Sequence, residues 1–155
     1  MSRRYTSFIR AASVSLVVAT PALRAQAITA ADSVRAVANG IIAADNARDV
    51  ERVMSFYADD AVLMPPNAGP VTGHRVIRPR YEALFAAASP AIVSTLDEVR
   101  VAGKWAFVRG TNTGVMRSRS GADPRALNDV FVMILQRAAD GQWKIARLIW
   151  HRASS

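Results

Sequence analysis

From residue 92 onward the chain changes character, and that change limits what it can fold into. Residues 92–101, 105–116, 127–137 and 143–152 read as four long strands, rich in β-branched and aromatic residues. Gly103-Lys104 and Asp140-Gly141 are hairpin turn signals joining the first strand to the second and the third to the fourth. Residues 117–125 are a longer polar loop holding Arg117, Arg119 and Arg125. Residues 130–135 are continuously apolar, the mark of a strand covered on both faces. One face of that strand lines a core or pocket, and the other is expected to meet a second subunit.

The first half is helical. Val34, Val37, Ala38, Ile41 and Ile42 recur at helical spacing and predict an amphipathic helix over 30–46, weakened slightly by Gly40. Asp49 is placed to cap a second helix with Val50, Val53, Met54 and Tyr57 as its apolar positions. Asp59-Asp60 should end it in a turn. Residues 61–64 then make a short strand, stopped by Pro65-Pro66, and 67–70 are loop. Gly73 precedes a third helix with Val76, Ile77, Tyr81, Leu84 and Phe85 on one face. Pro79 is expected near its first turn, where a missing N–H costs little, and Ser89-Pro90 should close it. Helices followed by a meander of strands give an α+β fold, with three helices packed on one face of a curled antiparallel sheet.

The N-terminus reads as a targeting segment. Arg3, Arg4 and Arg10 precede a short apolar stretch that ends in Ala25-Gln26-Ala27, a small-residue cleavage pattern. Residues 1–27 are thus expected to be a secretory signal peptide, with 28–155 as one domain in a secreted or periplasmic protein. A mitochondrial transit peptide is the rival reading. The apolar stretch falls short of the ~20 residues a spanning helix needs, so no membrane anchor is expected. The leader holds four arginines and no acid, and its removal lowers the formal charge from +8 to about +4. The basic balance therefore says little about nucleic acid, and the aromatics are not interleaved with a basic stripe. The chain has no cysteine, which excludes disulfides, thiolate chemistry and thiolate zinc sites.

Four segments carry a resemblance. They are Tyr57-Ala58-Asp59-Asp60-Ala61, Val71-Thr72-Gly73-His74-Arg75, Asp140-Gly141-Gln142-Trp143-Lys144-Ile145 and Ile149-Trp150. In this order and spacing the chain resembles the nuclear transport factor 2-like superfamily, and within it the SnoaL-like proteins. The resemblance implies a cone-shaped fold with a deep pocket between sheet and helices, often in homodimers. Members include isomerases, dehydratases, epoxide hydrolases, cyclases and non-catalytic binding modules, so fold alone does not choose a function. The polar positions of ketosteroid isomerases fall near Ile41, Pro65 and Met133 here, which argues against steroid isomerase chemistry.

The candidate site residues follow from these placements. The resemblance implies that Trp150 faces the cavity, although it would also serve as plain core filling. His151 has a side chain suited to proton transfer near neutral pH, but strand alternation turns it away if Trp150 points in. Asp129, near Asn112 and Arg109, could transfer protons, the plainer reading being a strand-end carboxylate paired with an arginine. Arg109 would anchor an anionic group or pair with a carboxylate. Tyr57, Met64, Tyr81, Phe85, Trp105 and Met133 offer an apolar lining. A metal site from His74, His151 and Asp59-Asp60 has suitable ligand types but no supporting spacing. Phosphate-loop, nucleophile-elbow and dinucleotide signatures are absent, and no cofactor is expected. The sequence thus points first to a domain binding a small, largely apolar molecule as a homodimer. The alternative is an isomerase, dehydratase, cyclase or SnoaL-like oxidoreductase using Asp129, Asn112 or His151, and a dimeric assembly module stands behind both.

Overall fold

The computed structural model describes residues 21–153 as three helices followed by, and interleaved with, six strands. The elements are α1 (Pro21–Ala47), α2 (Val50–Phe56), β1 (Tyr57–Met64), β2 (Val71–Thr72), α3 (His74–Ala87), β3 (Ala88–Ala102), β4 (Trp105–Ser118), β5 (Arg125–Arg137) and β6 (Trp143–Arg152). Residues 1–20 of the expected leader lie outside the described residues. The expected cleavage site at 25–27 falls within the span of α1. No helix among the described residues is long and apolar enough to cross a membrane.

The strands form one sheet in the order β2-β1-β6-β5-β4-β3. β1 runs parallel to β6, and the other neighbours pair antiparallel. The curl has local causes. A register shift between Leu96 and Glu98 bulges β3, and another between Ile134 and Leu135 bulges β6 at Ala146. Each bulge adds an unpaired residue and increases the twist. The concave face is covered by α1, which packs on β3, β4 and β6.

Register orders the concave face into rows, because residues opposite each other in a sheet point to the same side. Val101, Ala106, Leu135 and Ile145 form the apolar floor. Val99, Val108, Met133 and Leu148 follow, then Leu96, Gly110, Phe131 and Trp150. The next row is polar: Ser94, Asn112, Asp129 and Arg152. Phe131, Ile41, Met133, Leu135 and Ile145 are among the most deeply buried side chains beneath it.

Close approach dictates Gly40 and Gly114, as it does Gly110 beside Phe131. A Cβ on Gly40 would meet the ring of Phe56, so the residue that weakens α1 locally lets α2 dock against it. Gly114 has φ +136°, and a Cβ there would lie 2.0 Å from the carbonyl oxygen of Ala91 on the edge strand. Gly114→Ala is expected to cost at least about 2 kcal/mol, since backbone strain adds to the clash. A urea titration measures it, and an unchanged midpoint would contradict the reading.

Several local expectations need correction. Tyr57 does not end α2; it opens β1, and Asp59-Asp60 lie exposed within that strand rather than in a turn. β1 shifts register against β6 between Tyr57 and Val62, which absorbs this polar pair. Ser89-Pro90 belong to β3, an edge strand where proline is tolerated. Pro79 lies beyond the first turn of α3, so its ring deprives the Arg75 carbonyl of a helical partner. Val71–Thr72 form a two-residue strand against β1 that was too short to carry a pattern. Asp49 does cap α2, its carboxylate accepting from the Arg52 N–H at 2.9 Å.

Candidate functional site

A cavity of about 250 Å³ opens on the concave face, between α1, α3 and strands β3 to β6. Its apolar wall includes Ile41, Ile42, Phe131, Met133, Leu148 and Trp150. Its polar lining is Asp45, Tyr81, Asn112, Arg125 and Asp129. Ser94 adjoins it as the cross-strand neighbour of Asn112.

Asp45 was not among the residues singled out from the sequence. It lies on the stripe of Val34, Ala38, Ile41 and Ile42, one turn beyond Ile41. A carboxylate on an apolar stripe was a legible signal. Its neighbour Asn46 fixes its position. The Asn46 amide donates to the Ile92 carbonyl and its Oδ1 accepts from the Ile92 N–H, both at 2.8 Å. This two-way bond ties the end of α1 to β3. Burial among apolar side chains pushes the Asp45 carboxyl up from 3.8 to about 7. Asp45 Oδ1, Ser94 Oγ and Asn112 Oδ1 are shielded from solvent, and none has a hydrogen-bond partner among the described residues.

The two tyrosines act as a unit. The Tyr57 and Tyr81 hydroxyls are 2.9 Å apart, and Tyr81 also stacks at an angle on Phe85 with ring centroids 5.6 Å apart. Burial raises both phenols, and the charge of Asp45 raises them further. Tyr57 is enclosed, whereas Tyr81 lines the cavity. With Tyr57 donating, the Tyr81 proton is left for a ligand. Tyr81, Leu84 and Trp150 also line an adjoining apolar hollow of about 270 Å³ with Leu63, Pro65 and Val71.

The cavity therefore gathers Asp129, Asn112, Tyr81, Met133 and Trp150 from the expected set. Tyr57 and Phe85 stand behind Tyr81 as buried support. The others lie elsewhere, and strand alternation is the reason. His151 is exposed, opposite Val130 on the convex face, because Trp150 points inward. Trp105 is 47% exposed on that face, with Ala106 turned in instead. Met64 sits beside Ile149 there, and Leu63 is the inward residue. Arg109 also faces out and pairs with Asp97 at 3.1 Å and Glu98 at 3.8 Å. His74 Nδ1 lies 3.9 Å from Asp59 Oδ1, but His151 is not with them. Among the described residues no group of three or more His, Cys, Asp or Glu is arranged to hold a metal. Arg78 forms a two-point pair with Glu51 that ties α3 to α2.

A larger cleft of about 630 Å³ lies beside the earlier part of α1 and the β5–β6 hairpin. It is the weaker candidate site. Its cations already donate to main-chain carbonyls, Lys144 to Ser55 at 2.8 Å and Arg137 to Gly141 at 3.0 Å.

A model of the SnoaL-like domain matches residues 38–147, most of the folded chain. The chain belongs to the SnoaL-like domain family. Solved structures of the same fold accompany it. A ketosteroid isomerase-like protein from Erwinia carotovora atroseptica SCRI1043 is 25% identical, with TM-score 0.75 over 81% of this chain and 97% of that one. A conserved protein from Planctomyces limnophilus is 22% identical, with TM-score 0.74 over 79% and 94%. A candidate dehydratase of the nuclear transport factor 2-like family from Streptomyces avermitilis is 19% identical, with TM-score 0.70 over 83% and 99%. No curated protein matches the chain. Within this SnoaL-like frame, Ile41 and Met133 do line the cavity and Pro65 lines the hollow beside it. Asp45, one helical turn along from Ile41, belongs to the same lining.

Proposed function

We propose that this SnoaL-like protein binds a compact molecule in the cone and moves a proton on it, in the manner of an isomerase or dehydratase. One observation carries this reading. Asp45 presents a shielded, unpartnered carboxyl oxygen to an apolar cavity, and its carboxyl is poised near 7. A group with that pKa can both take and return a proton at neutral pH. The volume, about 250 Å³, lies just under the ~300–1,000 Å³ usual for drug-sized ligands, which suits a single small ring.

The roles follow from position. Asp45 as carboxylate removes a proton from carbon next to a carbonyl. The C–H electron pair becomes the new C=C bond while the carbonyl π pair moves to oxygen. Tyr81, backed by Tyr57, donates to that oxygen and stabilises its charge. In a β,γ-unsaturated ketone the resulting dienolate takes the proton back from Asp45 at its far carbon as the C=O re-forms; in a β-hydroxyketone the re-forming C=O drives the C=C pair to expel the hydroxyl, which takes the Asp45 proton and leaves as water. Asn112 and Asp129 orient the molecule, and Trp150 closes the wall. The test is deuterium uptake from D2O into small cyclic hydroxyketones, followed by proton NMR. Uptake with the wild type and none above background with Asp45→Asn supports the reading; equal uptake by both contradicts it.

The protein is proposed to act outside the cytoplasm after cleavage following Ala27, and as a homodimer. The convex face supports the second point. Phe107, Val132, Ile134 and Ile149 form a half-exposed apolar stripe, with Arg109 and the carboxylates Asp97 and Glu98 beside it. A two-fold axis through this stripe would set apolar centre on apolar centre. Val132→Asp is expected to convert a dimer into a folded monomer by light scattering after gel filtration. A wild type that is already monomeric at 100-fold dilution range, about 1–100 µM, would overturn the dimer.

A further inference from the structure

The unpartnered atoms of the cavity specify what it binds. Resting on the reading of the cone as a ligand site, we infer that the ligand is an apolar ring carrying hydroxyl donors, rather than a hydrocarbon or a molecule offering only carbonyl or ether oxygens. The argument is an inventory of donors and acceptors. Asp45 Oδ1, Ser94 Oγ and Asn112 Oδ1 are shielded from solvent and have no hydrogen-bond partner among the described residues. A carboxylate oxygen and an amide oxygen accept and do not donate. Asp129 adds a second carboxylate to the same wall. Arg125 is the cation among the cavity-lining residues, and it sits on the outermost row of the sheet, opposite Met116. Against these oxygens stand the hydroxyl hydrogens of Tyr81 and Ser94 and the amide hydrogens of Asn112. The two carboxylates tip the balance toward acceptors, so the best-matched molecule brings hydrogens of its own.

Geometry strengthens this. Ser94, Asn112 and Asp129 are register partners on three successive strands, so they face the cavity side by side. Neighbouring strands lie ~4.8 Å apart, which places acceptors at the spacing of two groups on one ring. Asp45 meets the same space from the helix side. Turning the Asn112 amide over would swap one oxygen for nitrogen, but Asp45 and Ser94 present oxygen in either case. An ammonium group would also donate. Benzylamine is the probe that separates an ammonium from a hydroxyl donor.

Each acceptor left unpaired against a ligand costs about fivefold to 150-fold in affinity, from ~1–3 kcal/mol. The matched probes are resorcinol and 1,3-dimethoxybenzene, the same ring with two hydroxyls or two methyl ethers. Binding is measured by amide chemical-shift titration on the whole protein at pH 8, where Asp45 is ionised and accepts only. Resorcinol is expected to bind at least about tenfold more tightly, with the largest shifts at the Asn112 side-chain amide and its strand neighbours. Asn112→Leu should shrink that preference, and the wild-type comparison stands even where this variant does not fold. Equal binding, stronger binding of the ether or of benzylamine, or no binding of resorcinol at 10 mM overturns the inference. The proton-transfer reading is judged separately by titrating Asp45, which needs no ligand, so the two can fail independently.

Discussion

Replacing Asp45 by Asn is expected to lower turnover by about 10²–10⁴-fold and at the same time to stabilise the protein at alkaline pH. The two effects share one cause. The folded-state carboxyl sits near 7, above its ordinary value of 3.8, because ionising it strands a charge among Ile41, Ile42 and Phe131. Below pH 4 the carboxyl is protonated in both folded and unfolded chains and contributes nothing to the pH dependence. Between about 4 and 7 the folded chain holds a proton that the unfolded chain has lost, so stability falls as pH rises. Above 7 the full cost is present, up to about 4 kcal/mol. Asparagine keeps the shape and never ionises. Urea midpoints of Asp45→Asn should therefore exceed wild type at pH 8 and approach it at pH 4. A variant that is less stable than wild type at pH 8 would mean that the carboxylate has a partner in the folded protein.

Phe131→Ala is the change expected to damage the fold most. Phe131 is 1% exposed, lines the cavity, and lies opposite Gly110 and Trp150. Its ring occupies the space that Gly110 leaves: a Cβ on that glycine would meet the ring at 2.6 Å. Truncation removes the ring from a position where the backbone cannot collapse, since three strands hold it open. The expected loss is about 3–5 kcal/mol, read as a lower urea midpoint at unchanged slope. Trp150→Ala should cost less stability, because Trp150 is only partly buried, but it should weaken ligand binding. A loss below 1 kcal/mol for Phe131→Ala would contradict the packing described.

Much of this architecture was legible in the residues. The β6 boundaries, the hairpin turns at Gly103 and Gly141, and the Asp49 cap all depend on local chemistry, and each was readable. Alternation put Trp150 and His151 on opposite faces, and the family resemblance indicated that Trp150 was the inward one. The errors came where alternation needs a register that only the partner strand supplies. Met64 and Trp105 belong to the convex face, and their inward neighbours Leu63 and Ala106 were less conspicuous residues. Arg109 lies on the convex face too, where it makes the carboxylate pair that was one of its two readings. Asp45 was missed for a different reason. It closes an apolar stripe on α1, where an acid reads as the polar end of a helix. What makes it a site is long-range: the Asn46 clasp on Ile92, and the rows of β4 and β5 that close over it.

The most direct measurement is the titration of Asp45 itself, by carboxyl carbon NMR with Asp45→Asn to assign the signal. The account predicts a midpoint close to 7 in the free protein. A midpoint near 4 would mean that the carboxyl is solvated or paired, and the cone would then lack the proton donor and acceptor on which its proposed chemistry depends.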